Sequence, residues 1–489
     1  MGILFRFSHL FSPSSIGLES CSRGLSYLQP GYIFDDDHDQ RFCRAQLCDN
    51  SEVPLSGLDA TAVARCLSQI ADHDDDLAEA YFERLEEVEY PAADEEPGIR
   101  VRREAGFAIR LVRDVRSWLA ARDQITTGAF GEAMRQVARA LPSAPYPEPS
   151  LDPAPFPTLE DTSRLARFPT AVTRAIRRQL AAFPMRLRVK RHRRWLRVIG
   201  TQLAPEPQSE SFYSCDVDLP WGRFGVLTPD LLGDTVERLA TSLTTLFRAQ
   251  DAPRVELAER SVVLGPPAAA VLLHEVVAHA LETDTLMMGG RAESALGLQL
   301  GGPLLNVLDD PTNAPESVRR SSDDEGMIAV RRWLLRDGVV EQPLADLFAA
   351  HHSRALMPGA ARRGNRHCSP APRSTHLELL PGDSSLDELL AAADRGLYFP
   401  EVSSGRLDPL SGQFSIALPF GRRIEGGALG ELVGPCRLRG TVSSLLGGIT
   451  GVGREVESAG AGWCAKNGLK LPVWATTPAI GIGSAEVRG

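Results

Sequence analysis

The sequence predicts an α+β fold in two unlike parts: an N-terminal α/β sandwich-like domain, then a β-rich C-terminal domain with a candidate metal-binding helix at its start. Three observations carry this expectation. Before about residue 250, strand-like alternation of apolar and charged residues is interspersed with amphipathic helical patterns. After it, glycine becomes frequent and the apolar segments shorten, as in Met327–Val330, Trp333–Leu335 and Phe414–Leu418. At the junction, a strand-like run over Val255–Leu264 leads into Pro266–Leu281, an apolar stretch interrupted by two histidines and a glutamate.

A chain of 489 residues has room for two or three domains. Residues 1–55 read as an extension, either flexible or the product of a misjudged start; 56–250 read as the N-terminal domain and 251–489 as the C-terminal one. Leu77–Tyr90 suits a strand or a short helix. Gly98–Asp123 reads as strands, with Ile99 and Val101 alternating with arginines. Phe130–Leu141 has helical periodicity, and Pro142–Pro157 is a proline-rich linker. Thr170–Phe183 reads as a helix and Met185–Val226 as strands. Pro229–Arg248 is an amphipathic helix, with Leu232, Val236, Leu239, Leu243 and Leu246 spaced for one face. Beyond it, Asp337-Gly338 between two apolar pairs predicts a hairpin.

The net charge of −10 argues against a general nucleic-acid surface. The run Lys190–Arg194 is the exception, and it reads as a strand with a basic solvent face. The acidic runs Asp35–Asp37 and Asp74–Asp76 read as solvated. Eight cysteines without CxxC spacing predict neither a zinc ribbon nor a disulfide framework, and His367-Cys368 reads as a bland pair. No apolar run reaches 18 residues and the N-terminus has no continuous apolar core, so the expected location is cytoplasmic, away from membranes.

Within Pro266–Leu281 the run His274-Glu275-Val276-Val277-Ala278-His279 is the densest chemistry in the chain. Prolines at its start are compatible with a helix. Leu273, Val276, Val277 and Ala280 fall on one side of a helical wheel, and His274, Glu275, His279 and Glu282 on the other. Imidazoles bind zinc, and a carboxylate beside a bound metal can move protons. The histidines are five positions apart, about 140° around a regular helix. A π-bulge, which fits one extra residue into a turn, would bring both rings toward one ion.

A second segment, Ala461-Gly462-Trp463-Cys464-Ala465-Lys466-Asn467-Gly468, joins this run in a pattern that resembles the TldD/PmbA family of metallopeptidases. Similar counterparts are Val262–Gly265, Asp323-Asp324-Glu325-Gly326, Pro372-Arg373-Ser374-Thr375 followed by Leu380-Pro381-Gly382, Gly396-Leu397-Tyr398 and Ser411–Phe414. The resemblance covers about 255–489 well and about 70–250 more loosely. Ala280, Leu469 and Arg488-Gly489 depart from the family pattern, and none of them removes a ligand position.

The resemblance implies His274, His279 and Cys464 as ligands of Zn2+, Glu275 as general base, and unfolded or short peptides as substrates. It implies a dimer, either of this chain or with a related PmbA/TldE-like subunit. The competing reading is a non-catalytic, zinc-stabilised binding or assembly subunit, for which Glu282 would be the natural fourth ligand. Otherwise Glu282 orients a ligand or merely solvates the helix end. Asp323, Asp324 and Glu325 read as an exposed acidic turn. Arg373 suits either a substrate carboxylate or a surface salt bridge.

Overall fold

The computed structural model describes residues 55–489 apart from 56–57, 72, 74, 91–98, 115, 139–148, 150, 152–166, 179–184, 202, 221, 232 and 467. Asp35–Asp37, Cys21, Cys43, Cys48 and nearly all of the proline-rich linker lie outside the described residues.

Leu77–Tyr90 (β1) is a strand. Its even positions Ala78, Ala80, Phe82, Val88 and Tyr90 are buried apolar groups, whereas Glu79, Tyr81 and Glu83 point to the opposite face. With Arg100–Arg113 (β2), Arg116–Arg122 (β3), Arg186–Gly200 (β4), Gln208–Leu219 (β5) and Gly222–Thr228 (β6) it forms a six-stranded antiparallel sheet, in the order β3-β2-β1-β4-β5-β6. The expected helices run over Thr127–Ala138, Phe168–Arg177 and Gly233–Ala249, and Ala60–Leu67 adds another. Phe130 of one helix packs on Phe82 and Phe107 of the sheet. Val172 and Ile176 of a second pack with Leu243 of a third and with Val189 and Val217. One apolar sheet face is thus covered by helices, the two-layer solution expected for an α/β sandwich.

The run Lys190–Arg194 lies on β4, and its expected solvent face is absent. Arg191 and Arg194 are buried, and the run pairs across the sheet with the glutamates of β1. Lys190 Nζ is 2.9 Å from Glu87, Arg191 3.3 Å from Glu86 and Arg194 3.4 Å from Glu83. Two oppositely charged runs in antiparallel register satisfy each other, so neither faces solvent as a block. Asp76, expected to be solvated, is likewise buried against Arg113.

The second half is built on a thirteen-stranded sheet. Its spine is the long hairpin Ile449–Lys466 and Leu469–Arg488. The strand Leu469–Arg488 also pairs antiparallel with Ala258–Leu264 (β7) and parallel with His376–Leu379. The predicted hairpin forms between Arg332–Arg336 and Val339–Val340, with both Asp337 and Gly338 at positive φ. Met327–Val330 is not a strand: it contributes one isolated bridge, Ser322 to Ile328, and leaves Ile328 exposed.

The two sheets meet through charge. Glu79, Glu83, Arg110, Arg194 and Glu210, on the helix-free face of the first sheet, contact Arg320–Glu325 and Arg362–Arg366 of the second half. The acidic turn is therefore buried, with Asp324 fully inaccessible. Asp324 pairs with Arg320 and accepts the backbone N–H of Arg363 at 2.7 Å, while Glu325 bonds Arg110 at 2.5 Å. Buried charges need partners, and here the opposite sheet supplies them.

Candidate metal centre

The helix that follows β7 is α-helical over Pro266–Leu273 and then widens. His274–Ala278 form a π-turn, in which the backbone N–H of His279 donates to the carbonyl of His274, five residues back. This is the one-residue expansion that the histidine spacing calls for. The two rings come together with centroids 4.5 Å apart. A 3-10 turn over His279–Leu281 follows, and Glu282 breaks the helix in an extended conformation. Strand-like contacts with Leu344 hold the break: Thr283 N–H donates to its carbonyl, and its own N–H donates to Leu281.

Cys464 arrives from the hairpin 185 residues away in sequence, opposite Leu471 in the register. Its Sγ lies 3.4 Å from Nε2 of His279. One donor atom each from His274, His279 and Cys464 falls within 4.8 Å of the others. His274 Nε2 is buried and has no hydrogen-bond partner among the described residues. Burial, reinforced by the charge of His279, pushes the His274 pKa down to about 3, so this ring presents a neutral nitrogen. Two imidazoles and a thiol around one point, one of them otherwise unsatisfied, fit the nitrogen and sulfur donor set of zinc.

Glu282 is fully buried and sits behind the cluster. Its Oε1 accepts from His279 Nδ1 at 2.9 Å. Its Oε2 contacts Lys466 and lies 3.4 Å from Arg373. Burial alone would raise this carboxyl, but His279, Arg373 and Lys466 hold it well below the usual carboxylate range. For His279, burial lowers the pKa, yet Glu282 and Cys464 carry it well above the usual imidazole value. The ring thus lies between two acceptors, one of which a cation at Nε2 would engage in place of a proton.

Arg373 is neither at the surface nor free for a substrate. It is buried and bonds Asp284 at 3.0 Å as well as facing Glu282. Lys466 was legible only as part of a motif. Two residues along a strand return to the same side, so Cys464 and Lys466 both face the helix, and Lys466 also bonds Thr285 Oγ1 at 2.8 Å. His367 contacts Asp123 and Cys368 bonds Asn365, so that pair does not converge on one point.

Glu275 is partly buried, and burial raises its pKa. It lies against the strand Ser404–Leu407, where a Cβ at Gly405 would fall 2.7 Å from its Cδ. A cavity of about 760 Å³ opens beside it. The metal-site residues, the strand Ser404–Leu407, β6, and Arg238 and Ser242 of the helix Gly233–Ala249 all line this cavity. Among the described residues Ser404–Leu407 and β6 each pair on one side only, so two sheet edges border the groove.

Residues 258–489 match the PmbA/TldA metallopeptidase C-terminal domain, a little under half of the chain. A Haemophilus influenzae protein named metalloprotease TldD homolog is 32% identical over 234 residues, 47% of this chain and 48% of that protein. A Saccharolobus solfataricus protein named zinc metalloprotease TldD homolog is 25% identical over 232 residues, covering 47% and 52%. The chain thus spans about half the length of these curated relatives. In overall fold it is similar to the crystal structure of TldE from Thermococcus kodakarensis, with a TM-score of 0.66, 19% identity, and coverage of 88% of this chain and 100% of that one.

Proposed function

We propose that this chain is a zinc-dependent peptidase that hydrolyses unfolded or short peptides, with His274, His279 and Cys464 as metal ligands and Glu275 as general base. The observation that carries the reading is the convergence of three donor atoms within 4.8 Å at the edge of a large groove, with a carboxylate beside them. Zinc bound there supplies Lewis acidity toward a peptide carbonyl and a water. Glu275 takes the proton of the attacking water and returns it to the leaving amine. Its partial burial keeps the carboxylate poorly solvated and so more basic. Glu282 fixes the orientation of His279 from behind. Its two oxygens are committed to His279, Lys466 and Arg373, which supports a site with three protein ligands over a closed structural one.

The bordering strand edges suit an extended peptide, whose backbone groups can pair without regard to sequence. In the same reading, 56–250 and 251–489 act as two domains with the groove between them. The protein works in the cytoplasm, in keeping with Cys215, Cys368 and Cys436 as thiols outside any disulfide among the described residues. Among the described residues no helix is long and apolar enough to cross a membrane. The proposed partner is a second copy or a related PmbA/TldE-like subunit, and no nucleic acid, because the basic run is neutralised internally.

The test is metal analysis read alongside peptide cleavage. The purified protein should hold about one zinc per chain. Glu275→Gln should keep the metal and lose cleavage, and Cys464→Ala should lower occupancy. A fully active Glu275→Gln would remove Glu275 as the base, and unchanged zinc in Cys464→Ala would remove Cys464 from the ligand set.

A further inference from the structure

Besides Asp216, the groove holds one acidic group that the hydrolytic reading does not use. Glu401 lies four residues before Gly405 on the segment entering the strand Ser404–Leu407, and it lines the same cavity as Glu275. Its Oε1 accepts from Ser242 Oγ, on the helix Gly233–Ala249 of the N-terminal half. Its Oε2 is shielded from solvent and has no hydrogen-bond partner among the described residues. Burial raises the Glu401 carboxyl, and neither the Ser242 bond nor the charge of Arg238 offsets it. Arg238 itself is exposed and acts on Glu401 only through its charge, with no ion pair between them among the described residues. An ionised carboxylate only accepts hydrogen bonds, and a poorly solvated one without an ion-pair partner is costly.

We infer that Glu401 is a specificity-determining residue that receives a positively charged donor group of the peptide, an ammonium or a guanidinium. This rests on the peptidase reading and adds a substrate class to it. Four residues of extended chain span at most roughly 14 Å. The cationic group therefore sits within about four residues of the cleaved bond on an extended peptide. Its source is a lysine or arginine side chain at that position or the peptide's own amino terminus.

The experiment uses the zinc-loaded Glu275→Gln protein, so that binding is read without turnover. Fluorescein-labelled extended peptides are titrated in by anisotropy: lysine- or arginine-containing ones against norleucine or citrulline replacements, and free amino termini against acetylated ones. Cationic peptides should bind at least about tenfold more tightly, as a charge-assisted hydrogen bond would give. Adding Glu401→Gln should abolish that preference while neutral peptides bind as before. The arm that shows the difference identifies side chain or terminus. Equal binding of charged and neutral peptides, or a preference that survives Glu401→Gln, overturns the inference and leaves the peptidase reading standing. Failure of every peptide to bind overturns both.

Discussion

Glu282 Oε1 lies 2.9 Å from Nδ1 of His279, while Nε2 of the same ring lies 3.4 Å from the sulfur of Cys464. One imidazole is therefore gripped on both nitrogens by groups from opposite ends of the half-chain. The carboxylate fixes which nitrogen carries the proton and which is left for a cation. Glu282→Ala should lower zinc affinity roughly 10–100-fold without removing a ligand. Competition against a chromophoric chelator measures this. An unchanged affinity would mean that Glu282 only closes the helix end.

Gly405 offers a second lever, one that acts on the base and spares the ligands. A Cβ there would overlap Glu275 Cγ and fall 2.7 Å from Cδ and 2.9 Å from Oε1. Relieving the overlap turns the whole Glu275 side chain about its first torsion and leaves the ligands His274, His279 and Cys464 in place, so Gly405→Ala should keep zinc content close to that of the parent protein. Displacing a base by about 1 Å can cost ~100-fold in rate. The expected result is a fall in kcat with metal content unchanged, read by steady-state cleavage and metal analysis on one preparation. Parent-level cleavage would show that Glu275 needs no fixed place.

Much of this site was legible from local pattern, because its helix obeys local rules. The apolar face and the proline start read as a helix, and the five-residue histidine spacing made a π-turn the condition for both rings to share an ion; the backbone adopts one at His274–Ala278. Cys464 was not legible in that way: a lone cysteine on a strand says nothing of what lies 185 residues away, and only the family resemblance singled it out. The buried charges failed for the same reason. Asp323-Asp324-Glu325-Gly326 is locally a solvated turn, and its burial depends on Arg110, Arg194 and Arg320. The turn also helps keep the apolar segment Met327–Val330 out of the sheet, since Asp323 Oδ1 ties back the Met327 N–H at 2.9 Å.

Asp324 makes the junction between the sheets testable. Burial would raise its carboxyl, but Arg320, Arg194 and Arg362 hold it well below the usual carboxylate range. A depressed folded-state pKa means stability that is present above the unfolded value, about 4, and lost as pH falls through the folded one. Thermal melts should therefore hold near neutrality and drop steeply below about pH 4. Asp324→Asn leaves Arg320 with one buried partner fewer and should cost about 3–5 kcal/mol. Denaturant melts at pH 7 measure that loss, and a variant as stable as the parent would show that the junction does not rest on this charge.

Metal removal separates a built site from an accidental cluster. His274 Nε2 is buried without a partner among the described residues, and an unsatisfied nitrogen of this kind costs about 1–3 kcal/mol until something occupies it. A ligand that binds only the folded state stabilises it by about 2.7 kcal/mol at one hundred times its dissociation constant. Chelated protein should therefore melt lower than the zinc-loaded form, and the gap should widen with zinc concentration. Magnesium should have no such effect, because the donor set is nitrogen and sulfur. Cys464→Ala should shrink the zinc-dependent shift, while Cys436→Ala, whose thiol bonds the Gly434 carbonyl away from the cluster, should keep it. A melting temperature indifferent to zinc in the parent protein would mean that the three donors converge without binding the ion.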